Sequence, residues 1–138
     1  MARVTVFKAY DIRGVVPDQL DAEAAHRIGR ATARQLQAGV LVLGRDARRS
    51  SPELHEALVR GVCDEGVDVI DLGLVSTPML YYAVDALAAD GGIMLTASHN
   101  PAEYNGMKIC REHAVPVGEA SGLREIERIA GEVADARP

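Results

Sequence analysis

Thr96-Ala97-Ser98-His99-Asn100-Pro101, followed by Tyr104-Asn105-Gly106-Met107-Lys108, lies directly after the short apolar run Gly92-Ile93-Met94-Leu95. That run has the length of a strand, and Ser, His, Asn and Pro in succession do not continue it. The pattern therefore predicts a loop at a strand's carboxyl end, which is where open α/β sheets place their ligand sites. A hydroxyl, an imidazole, a carboxamide and an ammonium fall between Ser98 and Lys108. Those are the parts needed to accept, hold and release a phosphoryl group.

Working outward, apolar strand-length runs alternate with amphipathic segments. Residues 22–37 read as a helix, with Ala25, Ile28, Gly29, Thr32 and Leu36 on one face, Asp21 placed to cap it and Gly39 beyond its end. Val40-Leu41-Val42-Leu43 is a strand. A second helix follows, with Leu54, Ala57, Leu58 and Val62 as its buried stripe. Either Ser51 caps it with Pro52 at its first position, or Ser50 and Glu53 form a capping box. Gly66 stops it before the strand Val67-Asp68-Val69-Ile70. A third helix is expected at roughly 79–88, strands at 92–95 and 107–110, and a last helix with Leu123, Ile126, Ile129, Ala130 and Val133 on one face. Continuous apolar strands alternating with helices indicate an α/β sandwich with a largely covered sheet.

At 138 residues, with 48% apolar and 25% charged residues, the chain is expected to be one globular domain, residues 1–138. A net charge of −5 argues against nucleic acid or an anionic membrane as partner. No apolar run reaches transmembrane length, and the N-terminus lacks a signal-peptide layout. Cys63 and Cys110 have no metal-ligand spacing, so reduced thiols in a cytoplasmic protein are the expectation.

Three more segments accompany the loop in order: Phe7-Lys8-Ala9-Tyr10-Asp11-Ile12-Arg13-Gly14, Gly44-Arg45-Asp46-Ala47-Arg48-Arg49-Ser50-Ser51, and Ser76-Thr77-Pro78-Met79-Leu80. With the loop, they resemble the first domain of the α-D-phosphohexomutases, and most closely the phosphomannomutase/phosphoglucomutase branch. The resemblance implies a three-layer α/β/α sandwich with a mixed, mostly parallel sheet. It implies interconversion of hexose 1-phosphate and hexose 6-phosphate (mannose or glucose) through a phosphoserine and a 1,6-bisphosphate sugar. Ser98 matches the phosphoserine and would also be a Mg²⁺ ligand through its phosphate. The other metal ligands belong to a second-domain Asp-Gly-Asp-Gly-Asp-Arg loop that this chain lacks. The family's sugar-binding and phosphate-binding domains are missing too, so the isolated domain is expected to lack turnover.

Each residue has its own chemistry beside that resemblance. A serine hydroxyl is a weak nucleophile and needs a base and stabilised phosphoryl charge, and a phosphoserine needs cations around it. His99 and Asn100 suit donation to phosphate oxygens, although Asn100 before Pro101 could equally shape the turn. Lys108 matches the family lysine that assists proton transfer. The Arg13 fork fits phosphate oxygens or steadies Lys108. Tyr10 is either a substrate-binding hydroxyl or core, and Gly14 reads as a turn residue.

The Gly44–Arg49 segment lacks P-loop spacing and reads better as a buttress of Asp46 and arginines than as a phosphate cradle. His26, His55 and His113 are expected to be ordinary surface or core residues, and Tyr81-Tyr82 to pack on their own helix. The rival expectation is a stand-alone module that binds phosphosugar or self-associates through an exposed apolar interdomain surface.

Overall fold

The computed structural model describes residues 6–133. Six strands and four α-helices occur in them: β1 (Ile12–Val15), α1 (Ala22–Gln35), β2 (Val40–Arg45), α2 (Ser51–Asp64), β3 (Asp68–Leu74), α3 (Thr77–Ala86), β4 (Gly91–Leu95), β5 (Tyr104–Arg111), β6 (Val115–Pro116) and α4 (Leu123–Val133). Across the sheet the order is β1, β5, β4, β2, β3, with β6 beside β5.

Side-chain alternation along the central strands sorts the core into two layers. Leu41, Leu43, Ile93, Leu95, Met107 and Ile109 face α1, α2 and α4. Val42, Met94 and Cys110 face α3 through Leu80 and Val84. The α/β/α sandwich is therefore as expected, and the sheet is mixed. Its parallel part is confined to β3, β2 and β4. The pairings of β5 with β4, β1 and β6 are antiparallel, so the sheet is not mostly parallel. The reason is local: residues 96–103 join β4 to β5 without a crossover helix, so β5 has to return antiparallel.

Helix α1 starts where its cap places it, with the Ala24 N–H donating to Asp21 Oδ1 at 2.8 Å. Neither capping arrangement expected for α2 forms, because Ser50 occupies the cap position without a side-chain bond to the helix. All five apolar residues of the α4 stripe are buried. Gly14 is not a turn residue; it lies within β1, and a Cβ there would come 2.9 Å from Val6 Cγ1. Tyr82 does not pack on its own helix but is 75% exposed. Both cysteines are free, and burial pushes the Cys110 thiol up to about 11.

The tightest packing in the helical layer is between α1 and α2, where glycines let two backbones touch. An ideal Cβ at Gly61 would lie 2.1 Å from the His26 carbonyl oxygen, and one at Gly29 2.6 Å from that of Leu58. Polar ties close the same pair of helices. Arg30 Nε and Arg34 Nε each donate to Glu65 at 2.8 Å, and His26 Nε2 lies 2.7 Å from Asp64. Burial works to raise the Glu65 carboxyl pKa, but the two arginine bonds outweigh it and hold the group below its ordinary range.

Gly61→Ala should lower unfolding free energy by about 1–3 kcal/mol, because the added methyl has only backbone to move against. Gly131→Ala, on the exposed side of α4 with nothing within 4 Å, should raise it by about 0.5–1 kcal/mol. Denaturant titration of the two variants checks both signs, and an unchanged midpoint for Gly61→Ala would contradict the close helix contact.

Candidate functional site

The loop between β4 and β5 is organised around one guanidinium. Arg48 Nη1 donates to the carbonyls of Pro101 at 2.8 Å and Tyr104 at 3.0 Å. Its Nη2 donates to the carbonyls of Ser98 at 2.9 Å and Asn100 at 2.8 Å. Asp46 Oδ2 lies 3.4 Å from Nε on the other side of the same group. The expected buttress is therefore Asp46 with Arg48. A cradle reading would require this fork to be available to phosphate, and it is committed to the loop's backbone.

Beneath the loop is a second polar layer. The Asn105 side chain is fully buried and donates to Ser50 Oγ at 2.8 Å and Ser51 Oγ at 3.1 Å. Ser51 Oγ donates in turn to Asp46 Oδ1 at 2.8 Å, and Asn105 Oδ1 accepts from the Gly106 N–H at 2.9 Å. These bonds occupy both serine hydroxyls, which explains why neither caps α2.

Above this layer Ser98 is exposed, with φ +56°. That left-handed conformation costs a non-glycine residue about 1–2 kcal/mol, so the surrounding bonds must hold it. The Ser98 N–H donates to Thr96 Oγ1 at 3.0 Å. His99 is exposed beside it. Asn100 uses its side-chain nitrogen on the Ala97 carbonyl at 2.7 Å, the turn-shaping alternative.

The register of β1 on β5 assembles the charged part of the site. Ile12 pairs with Met107 and Arg13 with Gly106, so Arg13 and Lys108 project from the same face of the sheet. Asp11, two residues before Arg13, joins them. Its carboxylate lies 3.1 Å from Arg13 Nε and 3.4 Å from Lys108 Nζ. The close approach of β1 depends on Gly106, where a Cβ would fall 1.9 Å from the Ile12 carbonyl oxygen. Asp11 was not singled out from the sequence, because its role depends on a partner 97 residues away. Tyr10 is 84% exposed, which removes the core alternative.

The family model for phosphoglucomutase/phosphomannomutase, alpha/beta/alpha domain I, matches residues 4–137. The chain belongs to this family. A phosphomannomutase of Klebsiella pneumoniae is 50% identical over 132 residues, covering 96% of this chain and 84% of that protein. A phosphomannomutase of Escherichia coli is likewise 50% identical over 132 residues, but the match covers only 29% of its length. A crystal structure of a phosphoglucomutase/phosphomannomutase family protein from Burkholderia thailandensis superposes with TM-score 0.87 at 36% identity, covering 97% of this chain and 31% of that one.

As a phosphoglucomutase/phosphomannomutase domain I, the chain carries a serine loop whose carbonyls are bonded to Arg48. Among the described residues no group of three or more His, Cys, Asp or Glu side chains could hold a metal ion. Three of the four acidic residues at 64–71 are tied elsewhere: Asp64 to His26, Glu65 to Arg30 and Arg34, and Asp71 to His55. His26, His55 and His113 each tie to an aspartate away from the loop. No helix among the described residues is long and apolar enough to cross a membrane.

Asn105→Ala should cost about 1–3 kcal/mol, the scale of buried hydrogen-bonding groups left unsatisfied. Thermal unfolding measures the loss. A variant as stable as the parent would mean that the buried serine–asparagine layer does not support the loop.

Proposed function

We propose that this domain provides the phosphoryl-carrying serine for interconversion of hexose 1-phosphate and hexose 6-phosphate, with mannose or glucose as the sugar. The carrying observation is Ser98, exposed on a loop whose carbonyls are held from below by Arg48, while Arg13 and Lys108 share Asp11 at the same end of the sheet. In the forward step Ser98 Oγ attacks a phosphorus of the bisphosphate sugar and loses its proton. The bond from that phosphorus to the sugar oxygen breaks, and the oxygen leaves as a hydroxyl after taking up a proton. In the opposite step the free hydroxyl of a hexose monophosphate attacks the phosphoserine phosphorus and loses its proton. The bond from phosphorus to Ser98 Oγ breaks, and Oγ takes up a proton. Isomerisation results when the phosphate removed and the hydroxyl phosphorylated are on different carbons.

Lys108 is the group assigned to move the proton at Nζ, and Arg13 the cation that balances phosphoryl charge. His99 and Asn100 are assigned to the phosphate environment, Asn100 chiefly by shaping the turn. The exposure of Tyr10 supports a hydroxyl directed at sugar. A Mg²⁺ ion at the Ser98 phosphate would need donors these residues do not supply, and such transfers rely on positioning and charge neutralisation. These 138 residues by themselves are therefore expected to give no appreciable sugar phosphate isomerisation. A cytoplasmic setting fits both the free thiols and phosphosugar chemistry.

The test is intact mass with peptide mapping after incubation with glucose 1,6-bisphosphate and Mg²⁺. One added phosphoryl group on the Ser98 peptide is expected, absent in Ser98→Ala. Addition at another residue, or none at all, would defeat Ser98 as an acceptor in this chain.

A second reading is a self-associating module, and one surface supports it. An apolar groove of about 430 Å³ is lined by Leu72, Val75, Pro78, Met79, Tyr82 and Ala83. Leu74, Met79 and Tyr82 are exposed around it. A second copy seated there should give a dimer that light scattering resolves as concentration rises, and that Tyr82→Glu abolishes. A monomer at every concentration would dismiss this reading.

A further inference from the structure

Arg48 does more than fill space beneath the loop. Four carbonyl oxygens, from Ser98, Asn100, Pro101 and Tyr104, converge on its two terminal nitrogens. A planar fork can meet four acceptors in this way, whereas an ammonium presents its donors from a single point. The consequence for the loop follows from peptide geometry. In a trans peptide the C=O and N–H point in opposite directions, so turning the Ser98 carbonyl toward Arg48 turns the His99 N–H away from it. That N–H meets no protein acceptor among the described residues. The same pull helps hold Ser98 at φ +56°, a conformation it would leave readily without support.

We propose that Arg48 is a positioning residue for phosphoryl transfer at Ser98: it draws the loop carbonyls inward and thereby presents the His99 N–H as a donor to the phosphoryl oxygens. This rests on the reading of Ser98 as the carrier. Arg48 never touches the phosphoryl group in this scheme; its charge is spent on the backbone, and the backbone amide does the recognition.

The experiment compares the parent chain with Arg48→Ala, Arg48→Lys and, as a remote control on α2, Arg60→Ala. The first readout is amide exchange at Asn100 and Tyr104, whose N–H groups donate to the Ala97 and Pro101 carbonyls at 3.0 Å each. Exchange should quicken by about tenfold or more in Arg48→Ala, an effect on the order of one lost hydrogen bond. In Arg60→Ala it should stay at the parent rate.

The second readout is the rate of Ser98 phosphorylation by glucose 1,6-bisphosphate, which should fall by about 100-fold in Arg48→Ala. Millimolar guanidinium should recover part of that rate, and Arg48→Lys, which keeps the charge and the fold, should remain well below the parent. Parent-like exchange in Arg48→Ala and Arg48→Lys, or parent-like phosphorylation in both, would overturn the proposal. If the parent chain itself accepts no phosphoryl group, the carrier reading fails, and amide exchange alone still decides whether Arg48 holds the loop.

Discussion

Strand β5 has to satisfy two neighbours at once, and most of the site follows from that constraint. It pairs antiparallel with β4 on one side and β1 on the other, and its residues alternate between the two faces of the sheet. Asn105 and Met107 turn toward the layer of α1, α2 and α4, where the asparagine reaches the serines that open α2. Lys108 turns to the α3 side, where Asp11 and Arg13 arrive from β1. A shift of one residue in either pairing would exchange these faces, burying the lysine and exposing the asparagine. Gly106 guards against such a shift, since a side chain there has no room beside the Ile12 carbonyl.

The site divides accordingly into a hydrogen-bonded floor, buried at Asn105 and Ser51, and a charged, partly exposed rim. The floor consists of Asn105, Ser50, Ser51 and Asp46, with the serine and asparagine groups bonded to one another in sequence. Satisfied networks of this kind keep a single arrangement, because any alternative leaves a buried polar group unpaired. The rim holds one carboxylate between two cations, which leaves an excess of positive charge on this face of the sheet. Stiffness below and charge above suit group transfer, in which little bond chemistry is asked of the protein and much positioning.

Much of this was legible in the sequence, for identifiable reasons. The Asp21 cap, the α4 stripe and the strand–loop–strand around Ser98 are local patterns of one or two turns, and local patterns survive folding. Strand β1 was not assigned because Ile12-Arg13-Gly14-Val15 is short and carries an arginine and a glycine. The serines at 50 and 51 looked like helix caps and became partners of Asn105, since tertiary acceptors and donors competed successfully with the helix end. Three arginines lie between positions 45 and 49, and the sequence does not distinguish the one whose fork turns under the loop. Asp11 was invisible as a site residue for the same reason: its significance is a matter of strand register, not of neighbours in the chain.

Strand β3 forms the open edge of the sheet, and its pairing with β2 slips where Leu43 faces Asp71 and Gly44 faces Gly73. Leu72 is the extra residue, and Gly73 at φ +71° takes up the bend. An edge that is bulged and carries exposed Asp68 and Asp71 is a poor template for another strand. At this edge, growth by sheet extension, the route that leads open-edged domains toward fibrils, is therefore disfavoured. Association at this end of the molecule is left to side chains, whose shape and charge can be changed by mutation without disturbing the ladder.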